Sequence, residues 1–166
     1  VQHTYNLHFH KSSLPSNNGI NLTNQDHTMT SMRDNRWDNI RTNLPMVDGG
    51  VYCWEYKLTQ YDLLRKNSFK VFMGIERSTY AFSKNEFDKI VGYNSLGISY
   101  NLGKKTIHRN KQHQLNDYGV ATDNMNWKFV DNDVISLRLD LKKTFSLQIF
   151  RNGVWIVTIP DIPKNI

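Results

Sequence analysis

Two aspartates one strand-step apart, Asp131 and Asp133, have the spacing a sugar-cleaving β-sandwich uses for its pair of carboxylates. Such a pair works from within a strand, on a concave face beside stacking aromatics. Here both residues precede an alternating run instead of lying in it, and only Glu55, Glu76 and Glu86 supply further glutamates. Asp133 and Asp140 therefore read as turn and strand-end residues. The single cysteine, Cys53, stands between Tyr52 and Trp54 and reads as a small buried hydrophobe. A nucleophilic thiol needs a neighbour that lowers its pKa, and the local sequence offers none. His8 and His10 can share one strand face, with His3 or His27 nearby, and His108 and His113 bracket a basic segment. Zinc sites with strong sequence signals use paired Cys and His clusters, which this chain lacks. Neither phosphate-loop nor dinucleotide glycine patterns occur, and Gly-x-Ser-x-Gly is absent. The expectation is a non-enzymatic protein with no catalytic residues, no metal and no cofactor.

The elements that would position these residues alternate with period two. Tyr52, Trp54, Tyr56 and Leu58 fall on one face of 51–58, with Glu55 and Lys57 on the other. Phe69, Val71, Met73 and Ile75 repeat the pattern, as do Ile98, Tyr100 and Leu102 against Ser99 and Asn101. The clearest case is 132–153. Ile135, Leu137, Leu139 and Leu141 point one way, and Ser136, Arg138 and Asp140 the other. Phe145, Leu147 and Ile149 then alternate with Ser146 and Gln148. Asn152-Gly153 closes this run with the pair that two-residue hairpin turns favour, and 154–159 continues as a strand. Tyr5, Leu7 and Phe9 predict an early strand, 11–35 reads as loop between short strands, and 83–91 is the best short helix. Many short strands separated by turn signals predict an all-β, antiparallel sandwich with at most one or two short helices.

The chain has 166 residues and a formal net charge of +6. That length suits one domain spanning 1–166 with a core that needs no disulfides. One cysteine permits no internal disulfide, so a reducing, intracellular setting (cytoplasmic or nuclear) is expected. The sequon at Asn21 would matter only in a secreted protein. No run of 18 apolar residues occurs and the polar start does not read as a signal peptide, so no membrane partner is expected. A first residue of Val fits a segment of a longer protein.

Several stretches together resemble the SPRY domain family. "GGVYCWEYKL" (49–58) is similar to its glycine and Tyr-Trp-Glu strand, and "FKVFMGIERS" (69–78) to the strand ending in a Gly-Val-like pair, here Gly74-Ile75. "YNSLGISYNLGKKTIH" (93–108) is similar to its Ser-Trp-Gly segment and hairpin, with Leu96 where Trp is common. Tyr118-Gly119 has a counterpart. "NDVISLRLDL" (132–141) resembles the Gly-Asp-Val-Ile motif, and "FSLQIFRNGVWI" (145–156) the strand ending in Asn-Gly. The pieces keep the family's order over about 20–160. The resemblance implies a bent, concanavalin-like jelly-roll sandwich. Asn132 replaces a glycine, and Asn tolerates the left-handed backbone such a turn needs. The stretch 120–130 is longer than usual, and the one or two further strands expected after residue 160 are either missing from this sequence or dispensed with by this domain.

SPRY domains dock peptide segments on loops at one end of the sandwich, so the resemblance implies a protein or peptide partner for a monomeric domain. Carried over, it places peptide-binding residues in three loops: Arg33, Asp34 and Arg36; Phe87 and Gly92; and Tyr118, Asn124 and Trp127. Trp37 reads as core. The alternative partner is nucleic acid, held by Lys104, Lys105, Arg109 and Lys111 of the basic segment 104–113. Few aromatics accompany that segment, which argues against base stacking. A third reading is lectin-like sugar binding, with Trp127 or Trp37 as the stacking aromatic.

Overall fold

The computed structural model describes residues 3–10, 20–31, 40–59, 71–76, 97–109, 120–121 and 127–164. It is an all-β, antiparallel fold of the sandwich type, with no helix among the described residues. The chain divides into two compact units, Val1–Pro45 with Ser78–Ile90 and Met46–Arg77 with Val91–Ile166.

The first unit holds a hairpin of β1 (Ile20–Thr23) and β2 (Thr28–Ser31). Its turn runs through Asn24, Gln25 and Asp26, all at positive φ (53°, 53° and 63°). Asn and Asp carry this conformation at lower cost than most residues. β1 (INLT) carries one Asn and one Thr, and β2 (TMTS) two Thr and a Ser, so the stretch reads as loop from composition although its β-branched threonines suit a ladder. The early strand predicted from Tyr5, Leu7 and Phe9 is reduced to one bridge, Phe9 to Thr42. His10 N–H donates to the Arg41 carbonyl and Asn43 N–H to the His8 carbonyl, while Phe9 N–H turns to the Asp26 carbonyl. Tyr5 is exposed, so the alternation there buries no continuous face.

The second unit contains two four-stranded sheets. The first has the order β10-β9-β8-β3, from β3 (Val51–Lys57), β8 (Val134–Asp140), β9 (Ser146–Arg151) and β10 (Val154–Ile159). The second has the order β4-β5-β6-β7, from β4 (Phe72–Glu76), β5 (Gly97–Asn101), β6 (Thr106–Arg109) and β7 (Val120–Ala121). Leu137 pairs with Trp54 on one side and Ile149 on the other, so the predicted apolar faces meet across three strands. Ile135, Leu137, Leu139, Leu141, Leu147 and Ile149 are all buried, each contributing about 1.5–3 kcal/mol.

Two predictions about strand faces need correction. Cys53 is exposed, not buried. The phase that buries Trp54 puts Cys53 on the wet face with Glu55 and Lys57, and β3 is an edge strand. Ser99 and Asn101, predicted on an exposed face, are buried along with the rest of β5. Asn101 uses its side chain to accept the Lys104 N–H at 3.0 Å, which satisfies the buried amide oxygen. Gly74 allows the close approach of β4: a Cβ there would lie 2.0 Å from the Ile98 carbonyl oxygen and 2.6 Å from Ser99 Cα.

Candidate functional site

One end of the second unit is built on the turn that precedes β8. Asn132 takes φ 71°, the left-handed conformation a glycine would adopt, as its residue type predicts. The turn delivers Asp133 into a buried position. Its carboxylate accepts the Val130 N–H at 2.9 Å, Arg151 Nε at 2.7 Å and Asn152 Nδ2 at 2.8 Å. Burial alone would raise the Asp133 pKa, but the bonds from Arg151, Val130 and Asn152 outweigh it and hold the group below its ordinary value. Asn152, at φ 49°, and Gly153, at φ 79°, form the hairpin turn between β9 and β10. The Asn152 side-chain oxygen in turn accepts the Val134 N–H at 2.8 Å. Asp133 is thus a turn residue that locks two loops together, as its sequence context predicts.

Trp127 sits in this same region, half-buried, between the sheets' loop ends. Lys105 Nζ lies 4.2 Å from the indole centroid and the Arg151 guanidinium carbon 4.9 Å from it. Phe129, which is buried, meets the indole edge-on at 4.9 Å between centroids. Lys105 comes from the β5–β6 turn of one sheet, where it takes φ 55° and its N–H donates to the Asn101 carbonyl. Arg151 ends β9 of the other sheet. A tryptophan face attracts cations by about 0.5–2 kcal/mol each, so the indole ties the two sheets together electrostatically.

The four cations assigned to the basic segment separate. Lys104 is exposed beside Lys105, but Arg109 lies at the far end of β6. The Arg109 guanidinium donates to the Pro160 carbonyl after β10, and its Nε is buried without a hydrogen-bond partner. Lys111 lies outside the described residues. So do Arg33, Asp34, Arg36, Phe87, Gly92, Tyr118 and Asn124, together with Trp37, His113 and the predicted helix at 83–91. Glu76 and Gly97, which flank 77–96, are cross-strand partners at the end of the β4–β5 pair away from Lys105. Of the predicted peptide-binding and nucleic-acid residues, the structure brings together Trp127 and Lys105, one from each set.

The opposite end of the first sheet is closed by Asp140. Its Oδ1 accepts the Lys143 N–H at 2.8 Å and the Lys142 N–H at 2.9 Å, which lowers its pKa. His108, in β6, is buried against the edge of Phe72 and bonded to Thr106 Oγ1 at 2.9 Å through Nε2. Burial, then the charge of Lys104, lowers its pKa and favours the neutral ring. His8 and His27 stack edge-to-face at 6.0 Å, and His27 Nε2 contacts Asn6. Among the described residues no three His, Cys, Asp or Glu side chains converge as metal ligands would.

The sequence reading missed Trp155, which is 56% exposed, with its indole N–H donated to Thr158 Oγ1 at 2.9 Å. A bulge between Trp155 and Val157 shifts the register there, so the apolar run 154–157 gives no clean phase. Comparison with family models and with curated proteins gave no match for this chain.

Proposed function

We propose that this chain is a SPRY-type β-sandwich that docks a peptide segment of a partner protein, without catalysis, at the end marked by Trp127. One observation carries the reading: a half-buried tryptophan lies where two sheets end, gripped by side chains from both. Rigid sheets that present a large aromatic and an arginine among loops have the composition of an interaction hot spot. The segments behind the family resemblance also have coherent local reasons. Asn132 makes the left-handed turn, Gly74 permits close strand approach, and Asn152-Gly153 closes a hairpin. The reading includes an intracellular setting, where one exposed thiol stays reduced.

The nucleic-acid reading has weaker support, because Arg109 is committed to the Pro160 carbonyl away from Lys104 and Lys105. A phosphate track needs several cations in line. The sugar-binding reading gains Trp155 as an exposed aromatic. The test is to pan a random peptide library against the full chain and against Trp127→Ala. Enriched peptides that bind the variant at least tenfold more weakly, with its fold intact by circular dichroism, support the reading. Equal binding by both proteins, or no enrichment, refutes it.

A further inference from the structure

We propose that the outer face of the first sheet binds a neutral sugar, with one pyranose ring stacked on Trp155 and its hydroxyls bonded to Gln148 and Thr158. Phe150 and Arg151 are neighbours in β9 and point to opposite faces, and Arg151 is the one that meets Trp127. The site is therefore separate from the Trp127 end and does not rest on the peptide-docking reading.

Trp155 is 56% exposed, and its indole N–H donates to Thr158 Oγ1 at 2.9 Å. Residues three apart face opposite sides of a regular strand. The bulge between Trp155 and Val157 brings both to one face, where Trp155 pairs with Phe150 and Thr158 with Gln148. The bond to Thr158 uses the indole's one polar group and leaves its π-face as the contact surface. A large ring held in place before binding loses little freedom when a ligand covers it. Gln148 is the diagonal neighbour of Trp155 on this face, about 7–8 Å away. Its side-chain oxygen accepts Arg138 Nη1 at 3.0 Å, which fixes the amide and leaves Nε2 without a partner among the described residues. The Thr158 hydroxyl, already the acceptor of the indole N–H, keeps its own proton to donate. A pyranose carries the complement: a flat face of C–H groups for the indole and a rim of hydroxyls for the amide and the threonine.

Charge and area argue against other occupants. All four strands are described throughout, and their outer face sets Lys57 and Arg138 against Glu55 and Asp140. Arg138 is bonded to Gln148 and lies 3.7 Å from Asp140, and Glu55 accepts the Ser136 hydroxyl. A face balanced in this way offers no line of cations to a phosphate backbone. A second copy would cover Trp155 and the half-buried Phe150, about 150–250 Å² each when wholly buried, against about 800 Å² per partner in a stable interface. Val51, exposed on the same face, lies on the opposite edge strand.

The experiment titrates the full chain with cellohexaose, maltohexaose and mannohexaose, and with the anionic hexagalacturonate, by saturation-transfer NMR. At least one neutral hexasaccharide should bind, with transfer strongest to its ring C–H protons. Its affinity should fall at least about tenfold in Trp155→Ala and about threefold in Gln148→Ala. Trp155→Phe, which keeps a ring, should bind more tightly than Trp155→Ala. If Trp155→Ala does not fold by circular dichroism, Trp155→Leu takes its place and should lose as much, because it keeps apolar area without a ring face. Binding of none of the neutral hexasaccharides, binding of hexagalacturonate alone, or equal affinity in wild type and the folded Trp155→Ala or Trp155→Leu protein overturns the proposal. A homodimer in analytical ultracentrifugation that Trp155→Ala dissociates overturns it in favour of a second copy.

Discussion

Asp133→Ala removes the acceptor of three hydrogen bonds at once, from Val130 N–H, Arg151 Nε and Asn152 Nδ2. The Asp133 side chain is 4% exposed and that of Arg151 24%, so water replaces the lost partner poorly. Removing one member of a buried, hydrogen-bonded ion pair costs about 3–5 kcal/mol. The open side of Arg151 favours the lower part of that range, about 3–4 kcal/mol. In a chain of this size that lowers Tm by about 6–16 °C. Asp133→Asn keeps the shape and one acceptor oxygen but presents an amide to donor groups, and should cost about 2 kcal/mol. Urea unfolding followed by tryptophan fluorescence and circular dichroism measures both. The pH dependence adds a second, independent readout. The folded pKa of Asp133 lies below its unfolded value, so between the two the unfolded chain binds more protons and stability rises with pH. The carboxylate's contribution is complete above the ordinary carboxylate range and is lost as pH falls through the folded pKa. The gap between wild type and Asp133→Asn should therefore close on acidification. An Asp133→Ala protein within about 1 kcal/mol of wild type would refute the view that this turn locks the loop end.

Three further outcomes follow from the same geometry. Gly74→Ala forces a methyl group against the Ile98 carbonyl and Ser99 Cα, both backbone, and should destabilise by about 3 kcal/mol or more in urea unfolding. Because His108 has a folded pKa below its unfolded value of about 6.5, its contribution is intact above that pH and declines as pH falls below it. This slope should vanish in His108→Gln when thermal melts are compared from pH 7 to about 5. Cys53, exposed on the wet face of β3, should react fully with a maleimide without denaturant; a thiol that reacts only after unfolding would mean the phase of β3 is reversed.

Three strands of the first sheet, β3, β8 and β9, were readable in the sequence because each obeys one simple rule. Leu137 and Leu139 are separated by one polar residue, and Asn152-Gly153 dictates the turn that sets the next register. The same rule, applied to β3, already assigns Cys53 to the face of Glu55, and treating the cysteine as a core residue by type alone overrode it. β5 departs from the rule because it is buried on both faces, where alternation carries no information. The β1–β2 hairpin escaped notice because Asn and Thr are common to turns and to polar strands alike.

The candidate site was readable only in part, for a different reason. Trp127, Lys105 and Arg151 belong to a loop, the β5–β6 turn and the end of β9, and nothing local to any of them encodes their meeting. Local charge made Lys104, Lys105 and Arg109 look like one basic patch. The extended chain of β6 instead carries Arg109 to the far end, where its guanidinium bonds the Pro160 carbonyl. Charge that is adjacent in sequence is thus divided by the strand, and charge that is remote in sequence is gathered by the indole. On the proposed peptide-docking reading, changes to Asp133 or Asn152, which hold Arg151 and its turn, should alter binding at the Trp127 end as well as stability.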